Sequence, residues 1–311
     1  MSGNNVDLIC LGEPMVEFAQ VKRGEETLYL PGFGGDTSNC AVAAARQGTR
    51  VGYVTALGAD SFGRDFLDLW AREGVDTRGV STDPEAPTGV YFITYRNGEH
   101  VFSYRRNGSA ASRMTPDSLP HDYLRLARVL HVSGISQAIS DTACDAAFAA
   151  IAAVRAAGGL VSYDTNLRLN LWPLPRARAI IHAALAESDI ALPGLDDARQ
   201  LTELTDPHLI TEFYLDLGPR IVVLTMGREG TLVATPERQE VVPAHAVEQV
   251  DATAAGDTFD GAFLARYIAG DDPFTAARYA NVAAALSTLG HGAVAPMPHA
   301  ETVLQAIKEV T

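Results

Sequence analysis

The chain has 311 residues, with Lys+Arg 24 against Asp+Glu 38 and a formal net charge of −14. Its 47% hydrophobic and 20% charged residues describe a globular chain and exclude a disordered one. The acidic balance argues against a general nucleic-acid binder and against adhesion to anionic membranes, since both need a basic face; small anionic ligands stay open, because a few local arginines can overrule a distant field.

The start, Met1 to Asn5, carries no basic region followed by an apolar run, so no secretory signal is expected. No apolar stretch approaches the roughly 20 residues needed to span a bilayer. Cys10, Cys40 and Cys144 are odd in number, far apart and form no CxxC pair. Neither a disulfide framework nor a zinc site is expected, and the cytoplasm is the expected compartment.

Val6 to Leu11 reads as the first strand. Residues 14–31 read as extended, bracketed by Pro14 and Pro31. Asn39 to Arg46 reads as a helix stopped by Gly48, and Val51 to Leu57 as a strand. Phe62, Phe66, Leu69 and Trp70 recur at helical spacing, and Gly74 stands in the usual stop position. Val90 to Arg96 and His100 to Arg106 are β-rich and flank Asn97-Gly98, a pair that favours a type I′ hairpin turn. Val129–Val132, Leu160–Tyr163, Ile190–Leu192 and Ile221–Thr225 are short strand-like runs. Helical segments near 141–157, 176–187, 258–269 and 274–289 lie among or after them. This alternation predicts an α/β fold: a doubly wound, mostly parallel sheet with helices on both faces. We read the whole chain, 1–311, as one domain. Segments of about 14–31 and 88–107 form a small β-sheet outside the main one. Such a sheet is either a decorated edge or a lid that excludes water from a pocket; the lid is the preferred reading.

Several familiar signatures are absent. There is no Gly-Lys dipeptide, hence no P-loop, and the eight histidines form no HExxH pair. Gly32, Gly34 and Gly35 do not complete a dinucleotide fingerprint. Gly134 to Ala138 lacks the closing glycine of a nucleophile elbow.

Two segments carry chemistry. In Asp251 to Phe263 a small-residue loop runs into a helix. Unpaired N–H groups and the helix dipole make such a junction an anion site. Asp257 sits at its mouth, either as a helix cap or as a base that accepts a proton from an attacking hydroxyl. In Gly34 to Gly48 the paired glycines allow close backbone approach to a ligand, and Asp36 and Asn39 offer hydrogen bonds suited to sugar hydroxyls. Capping of the following helix is the simpler alternative.

Together these segments resemble the ribokinase-like (PfkB) family of carbohydrate kinases. Gly34-Gly35-x(3)-Asn39 and Asp251-x-Thr253-x-Ala255-Gly256-Asp257-x-Phe259 match both family signatures in order and separation. The resemblance covers essentially the whole chain. It implies a ribokinase-like fold with a β-lid and transfer of the γ-phosphoryl of ATP to a sugar hydroxyl, with Mg2+. Asp257 is then the catalytic base, and the N–H groups of Ala255, Gly256 and Asp257 form the anion hole.

Tyr104 to Ser112, Asp164-Thr165-Asn166-Leu167-Arg168…Trp172 and Gly12-Glu13 are similar to the branch of 2-keto-3-deoxygluconate kinases; fructokinases share Gly12-Glu13. Arginine offers a bidentate fork to a sugar carboxylate. By resemblance Gly34, Gly35, Asn39, Tyr91, Tyr104, Arg106 and Arg168 bind the sugar acid. Surface ion pairs are the alternative for the two arginines. Thr225, Gly227, Gly230 and Gly256 look like the nucleotide loops, with Asn166 and Asn281 as further nucleotide contacts. A K+-type monovalent cation near Asp251 and Thr253 follows from resemblance alone.

Two positions depart from the family. Ala254 stands where a glycine is common, and would be strained at a positive φ. Gly194-Leu195-Asp196-Asp197 alters an Asn-x-x-Glu motif, leaving Asp197 as a shortened candidate for the metal. The implied partners are a small sugar acid and ATP, with no nucleic acid and no membrane. A second copy of the chain, as a homodimer or higher homo-oligomer, is a further candidate. A neutral-sugar kinase and a non-catalytic sugar-acid sensor are the competing functions.

Overall fold

A computed structural model describes residues 6–96 and 99–310. The expected turn at Asn97-Gly98 and the start from Met1 to Asn5 lie outside the described residues.

Strand β1 (Leu8–Leu11) leads into β2 (Met15–Arg23), β3 (Glu26–Gly34) and helix α1 (Asp36–Arg46). Then come β4 (Val51–Gly58), α2 (Ser61–Glu73), β5 (Asp76–Asp83), β6 (Gly89–Arg96) and β7 (Glu99–Arg105). The middle holds α3 (His121–Leu124), β8 (Val129–Ser133), α4 (Gly134–Ala138), α5 (Asp141–Ala156), β9 (Leu160–Asp164), α6 (Leu174–Ala186) and β10 (Ile190–Leu192). The last third holds α7 (Leu195–Thr202), α8 (Pro207–Leu217), β11 (Ile221–Thr225), β12 (Thr231–Thr235), β13 (Arg238–Val242), α9 (Ala255–Ala269), α10 (Pro273–Ser287) and α11 (Ala300–Val310).

The main sheet runs β13-β12-β11-β10-β9-β8-β1-β4-β5. It is parallel from β11 to β5, and β12 and β13 add an antiparallel edge. Successive residues of a strand point to opposite faces. In β1, Leu8 and Cys10 therefore join the core under α1, α2, α9 and α10, while Ile9 and Leu11 join the core under α5, α6 and α8. All four are fully buried, as the central strand of a doubly wound sheet requires.

The small sheet runs β3-β2-β6-β7. It consists of two antiparallel hairpins joined by a parallel seam between β2 and β6. It is fastened to the main body by a buried ion pair. Glu13, in the loop after β1, has a fully buried side chain and accepts from Arg106 Nε at 2.7 Å and from Ser109 Oγ. A second anchor is Asp60. It caps α2 through Gly63 N at 2.8 Å and takes Thr88 N at 2.8 Å and Thr88 Oγ1 at 2.9 Å. Among the described residues no helix is long and apolar enough to cross a membrane.

Candidate active site

The carboxyl ends of β1, β8, β9, β10 and β11 lie along one edge of the main sheet, the usual ligand edge of such folds. Helix α1 starts above that edge. Gly35 holds φ at 101°, and a Cβ there would meet Glu13 O at 2.4 Å. Only glycine permits this turn, so α1 begins at Asp36, three residues before the expected start. Helix α9 packs against α1 at Gly261, where a Cβ would meet Cys40 O at 2.5 Å. That close crossing brings the two signature segments together: Asn39 Nδ2 donates to Asp257 Oδ2 at 2.8 Å.

Asp257 is half-buried in the first turn of α9. Loss of water and the nearby Asp36 push its carboxyl up to about 7 from 3.8, against the opposing pull of Asn39 and Arg168. Asp36 Oδ2 accepts from Ser133 Oγ at the end of β8 and from Asn166 Nδ2 at 3.4 Å. Asp36 Oδ1 and Asn39 Oδ1 are buried and accept no hydrogen bond from any described residue. Burial and neighbouring carboxylates also raise Asp164, at the end of β9, and Asp260, one turn further along α9. Neither Asp164 nor Asp260 stood out in the sequence as a candidate. Asp260 is buried and Asp164 half-buried, and neither a helix nor a strand end shows in its sequence which way a single carboxylate points.

Ala254 caps α9 in the left-handed region, with φ 58° and ψ 19°. The strain expected at this non-glycine position is therefore present. The cap also narrows the expected anion hole. Ala255 N donates to Ala252 O at 3.1 Å, so its N–H is already spent. The N–H groups of Gly256 and Asp257 meet no carbonyl among the described residues.

A cavity of about 720 Å³ opens beside this helix start. Thr225, Gly227, Gly230, Ala255, Gly256 and Asn281 line it, so the expected nucleotide residues do converge, with the exception of Asn166. Asn281 also serves the fold. It accepts from Thr231 Oγ1 at 2.8 Å and donates to Val242 O and Pro243 O, tying α10 to the β12–β13 edge. Asn166 sits instead near Asp36, with φ 29°. Asp197 accepts from Leu167 N at 2.8 Å. Among the described residues no three His, Cys, Asp or Glu form a metal cage. The Asp251 carboxylate is engaged by Thr253 N, Thr253 Oγ1 and Gly292 N.

The expected sugar contacts are only partly assembled. Tyr91 is buried, stacks on Tyr104 at 5.8 Å and donates to the buried Glu17. Gly34 lies directly against the Tyr91 hydroxyl. Arg106 is half-buried and pairs with the fully buried Glu13, which differs from both the free fork and the surface ion pair considered from sequence. Arg168 is exposed and donates to its neighbour Leu167 O at 2.9 Å. Glu17 was not anticipated, because its alternating strand gives no sign that a carboxylate would face inward.

The family model for pfkB family carbohydrate kinases matches residues 6–300. A 2-dehydro-3-deoxygluconokinase of Thermoproteus tenax is 33% identical over 97% of this chain and 95% of its own length. A probable fructokinase-3 of Arabidopsis thaliana is 32% identical, over 97% and 91%. The solved structure of a putative ribokinase II from E. coli, in complex with ATP and Mg2+, superposes with a TM-score of 0.90 at 27% identity, covering 98% of this chain and 99% of that one. With both signature segments joined at one sheet edge and this breadth of similarity, the chain belongs to the pfkB family of carbohydrate kinases.

Proposed function

We propose that this protein transfers the γ-phosphoryl group of ATP to the C6 hydroxyl of a sugar acid, 2-keto-3-deoxygluconate. The observation that carries the reading is the Asn39–Asp257 hydrogen bond, flanked by two buried acceptors, Asp36 Oδ1 and Asn39 Oδ1, that lack donors. A buried acceptor without a donor costs about 1–3 kcal/mol. Sugar hydroxyls are donors of the right kind. The 720 Å³ cavity has the size of a nucleotide site and meets the same helix start.

Asp257 takes the hydroxyl proton. The sugar oxygen forms a bond to the γ-phosphorus as the bond to the β–γ bridging oxygen breaks, and ADP leaves. The N–H groups of Gly256 and Asp257 stabilise the charge on the transferring group. Magnesium, when bound to the phosphate oxygens of ATP, neutralises charge there. Asp197 is the protein carboxylate offered to it, a fit consistent with a metal that arrives on its nucleotide and not in a protein cage. The small sheet acts as a lid, with Tyr91, Tyr104 and Arg106 reaching toward the sugar and Arg168 closing on its carboxylate. A second copy of the chain belongs to the same reading: β3 is an edge strand with Tyr29 and Leu30 exposed, and such an edge is a template for pairing.

A neutral-sugar substrate of the fructose type is the second reading. The Glu13–Arg106 pair favours it, because Glu13 neutralises one of the two arginines meant for the carboxylate. A coupled ADP-release assay over sugars and sugar acids tests both. Turnover only with 2-keto-3-deoxy acids supports the first reading. Turnover with ketohexoses alone replaces it with the second. Binding without turnover leaves a sensor.

A further inference from the structure

Helix α1 meets the site near its start, where Asn39 donates to Asp257. Its last residue, Arg46, lies about 10 Å further along the axis at 1.5 Å per residue. Only 11% of the Arg46 side chain is exposed. Its Nε and Nη2 donate to Glu73 Oε2 and Oε1 at 2.9 and 2.7 Å, a bidentate pair with the last residue of α2. Its Nη1 turns the other way and donates to Val294 O at 2.9 Å and Met297 O at 2.7 Å. The neighbouring Gln47 adds Pro298 O at 2.9 Å. The far end of α1 thus grips the carbonyls of the loop that joins α10 to α11. That loop has no helix or strand of its own. An arginine that served only to pair α1 with α2 would need Glu73 and nothing more.

The gripped loop reaches back to the site. Gly292 N donates to Asp251 Oδ2 at 3.0 Å. Asp251 Oδ1 accepts from Thr253 N at 2.9 Å and from Thr253 Oγ1 at 2.7 Å, which closes the turn before α9. Ala254 follows at φ 58°, and α9 begins at Ala255. Next come the N–H groups of Gly256 and Asp257, which meet no carbonyl among the described residues. From Val294 to this turn the route is two residues of chain and two hydrogen-bonded steps.

We infer that Arg46 is a positioning residue for the phosphoryl-binding turn. By holding Val294 O and Met297 O it fixes the 292–297 loop, and through Gly292 and Asp251 it aims the N–H groups of Gly256 and Asp257. The inference rests on the reading of those two groups as the anion hole. Helix α1 then governs both parts of the site, the base through Asn39 and the donors through Arg46. Lysine would keep a positive charge beside Glu73, but it lacks the planar fork that serves a carboxylate and two carbonyls at once. Fixed donors act on charge that develops in the transition state. A misaimed turn therefore lowers kcat and leaves the KM of the sugar nearly unchanged.

The test compares Arg46→Lys with Glu73→Gln. The second variant removes the ion pair and leaves Arg46 its two carbonyls, so it controls for lost stability alone. Amide NMR on 15N,2H-labelled protein reads the turn without any turnover. In Arg46→Lys the amide resonances of Thr253, Gly256 and Asp257 should move, and kcat per folded molecule should fall about tenfold, a fraction of the roughly 10²–10³ lost with a whole oxyanion-hole donor. In Glu73→Gln both should stay nearly in place. In an Asp251→Ala background, which cuts the route, adding Arg46→Lys should move those amides no further. The double variant Arg46→Gln/Glu73→Gln, which leaves no lone charge, takes over if Arg46→Lys does not fold. Unmoved amides at 253–257 in the folded variant overturn the inference, as does an equal shift in Glu73→Gln. Amides that move in a protein that phosphorylates nothing would refute the kinase reading while leaving the hold of Arg46 on the turn standing.

Discussion

Asp257→Asn should sharply lower turnover and at the same time stabilise the fold. In the unfolded chain this aspartate ionises near 3.8, and in the folded protein near 7. Between those values the unfolded chain binds fewer protons than the native one, so stability falls as pH rises. At about 1.4 kcal/mol per pH unit the full interval sets an upper bound of about 4 kcal/mol. Asp257 is half-buried, and solvent screening brings the working figure to about 2 kcal/mol. Asparagine removes the charge yet keeps an oxygen for the Asn39 Nδ2 donor, so the hydrogen bond at 2.8 Å survives.

Urea unfolding of the wild type and the variant at pH 3.5 and pH 8 reads this directly. The two proteins should be nearly equal at pH 3.5. At pH 8 the variant should be more stable by about 2 kcal/mol. Turnover should fall by roughly 10²–10⁴ if proton removal is the main contribution. A variant that is less stable at pH 8, or a stability difference independent of pH, would refute the claim that Asp257 is held against its preferred charge state. Near-normal turnover in the folded variant would refute its role as the base.

Two further substitutions follow from the same geometry. Ala254 at φ 58° carries a strain of about 1–2 kcal/mol, against which the extra freedom of an unfolded glycine weighs about 0.5–1 kcal/mol. Ala254→Gly should therefore raise the free energy of unfolding in urea by about 0.5–1 kcal/mol; a lower value would mean that the alanine methyl packs better than the strain costs, and unchanged kinetics would show that the strain does not reach the N–H groups of Gly256 and Asp257. Glu13→Gln leaves the half-buried Arg106 cation without its carboxylate and should cost up to about 3 kcal/mol by urea denaturation, the lower end of the range for a buried pair. A loss below about 1 kcal/mol would show that this pair does not fasten the small sheet to the end of β1.

The sheet core was legible because parallel strands buried on both faces read as continuous apolar runs. Val129–Val132 and Ile221–Thr225 announce themselves in this way. Strand β5 did not, because Asp76–Asp83 lies on the sheet edge and is largely polar. Strands β12 and β13 form an antiparallel hairpin whose local pattern is too short to separate from a loop. The two motif segments were legible as a pair: each alone reads equally well as a helix cap, and their joint match set them apart, as their contact through Asn39 and Asp257 shows them to be neighbours. The ion pair of Glu13 with Arg106, and the burial of Asp260, depend on chain segments far apart in sequence. Arg106 reads as a free fork until its partner, 93 positions away, is known.

The charge arithmetic separates the two substrate readings by a different route. In a chain of net charge −14, a sugar acid needs positive potential near its carboxylate, and Arg105, Arg106 and Arg168 are the cations the sequence offers there. Arg106 is neutralised by Glu13, and Arg105 is exposed and donates to Tyr104 O. Three further carboxylates, Asp36, Asp164 and Asp260, instead interact unfavourably with one another and with the Asp257 charge. An anionic sugar must therefore approach against both the distant and the local field. Raising the salt from 0.01 M to 0.1 M shortens the screening length from about 30 Å to about 10 Å, which weakens the long-range repulsion far more than any short contact with Arg168. For a sugar acid, kcat/KM at saturating ATP and magnesium should then rise with salt, by up to about tenfold. For a neutral ketose it should stay flat, because there is no charge to repel. A fall with salt for the sugar acid would mean that attraction by Arg168 outweighs the acidic surroundings, and would return the arginine to the central place that its neighbours now deny it.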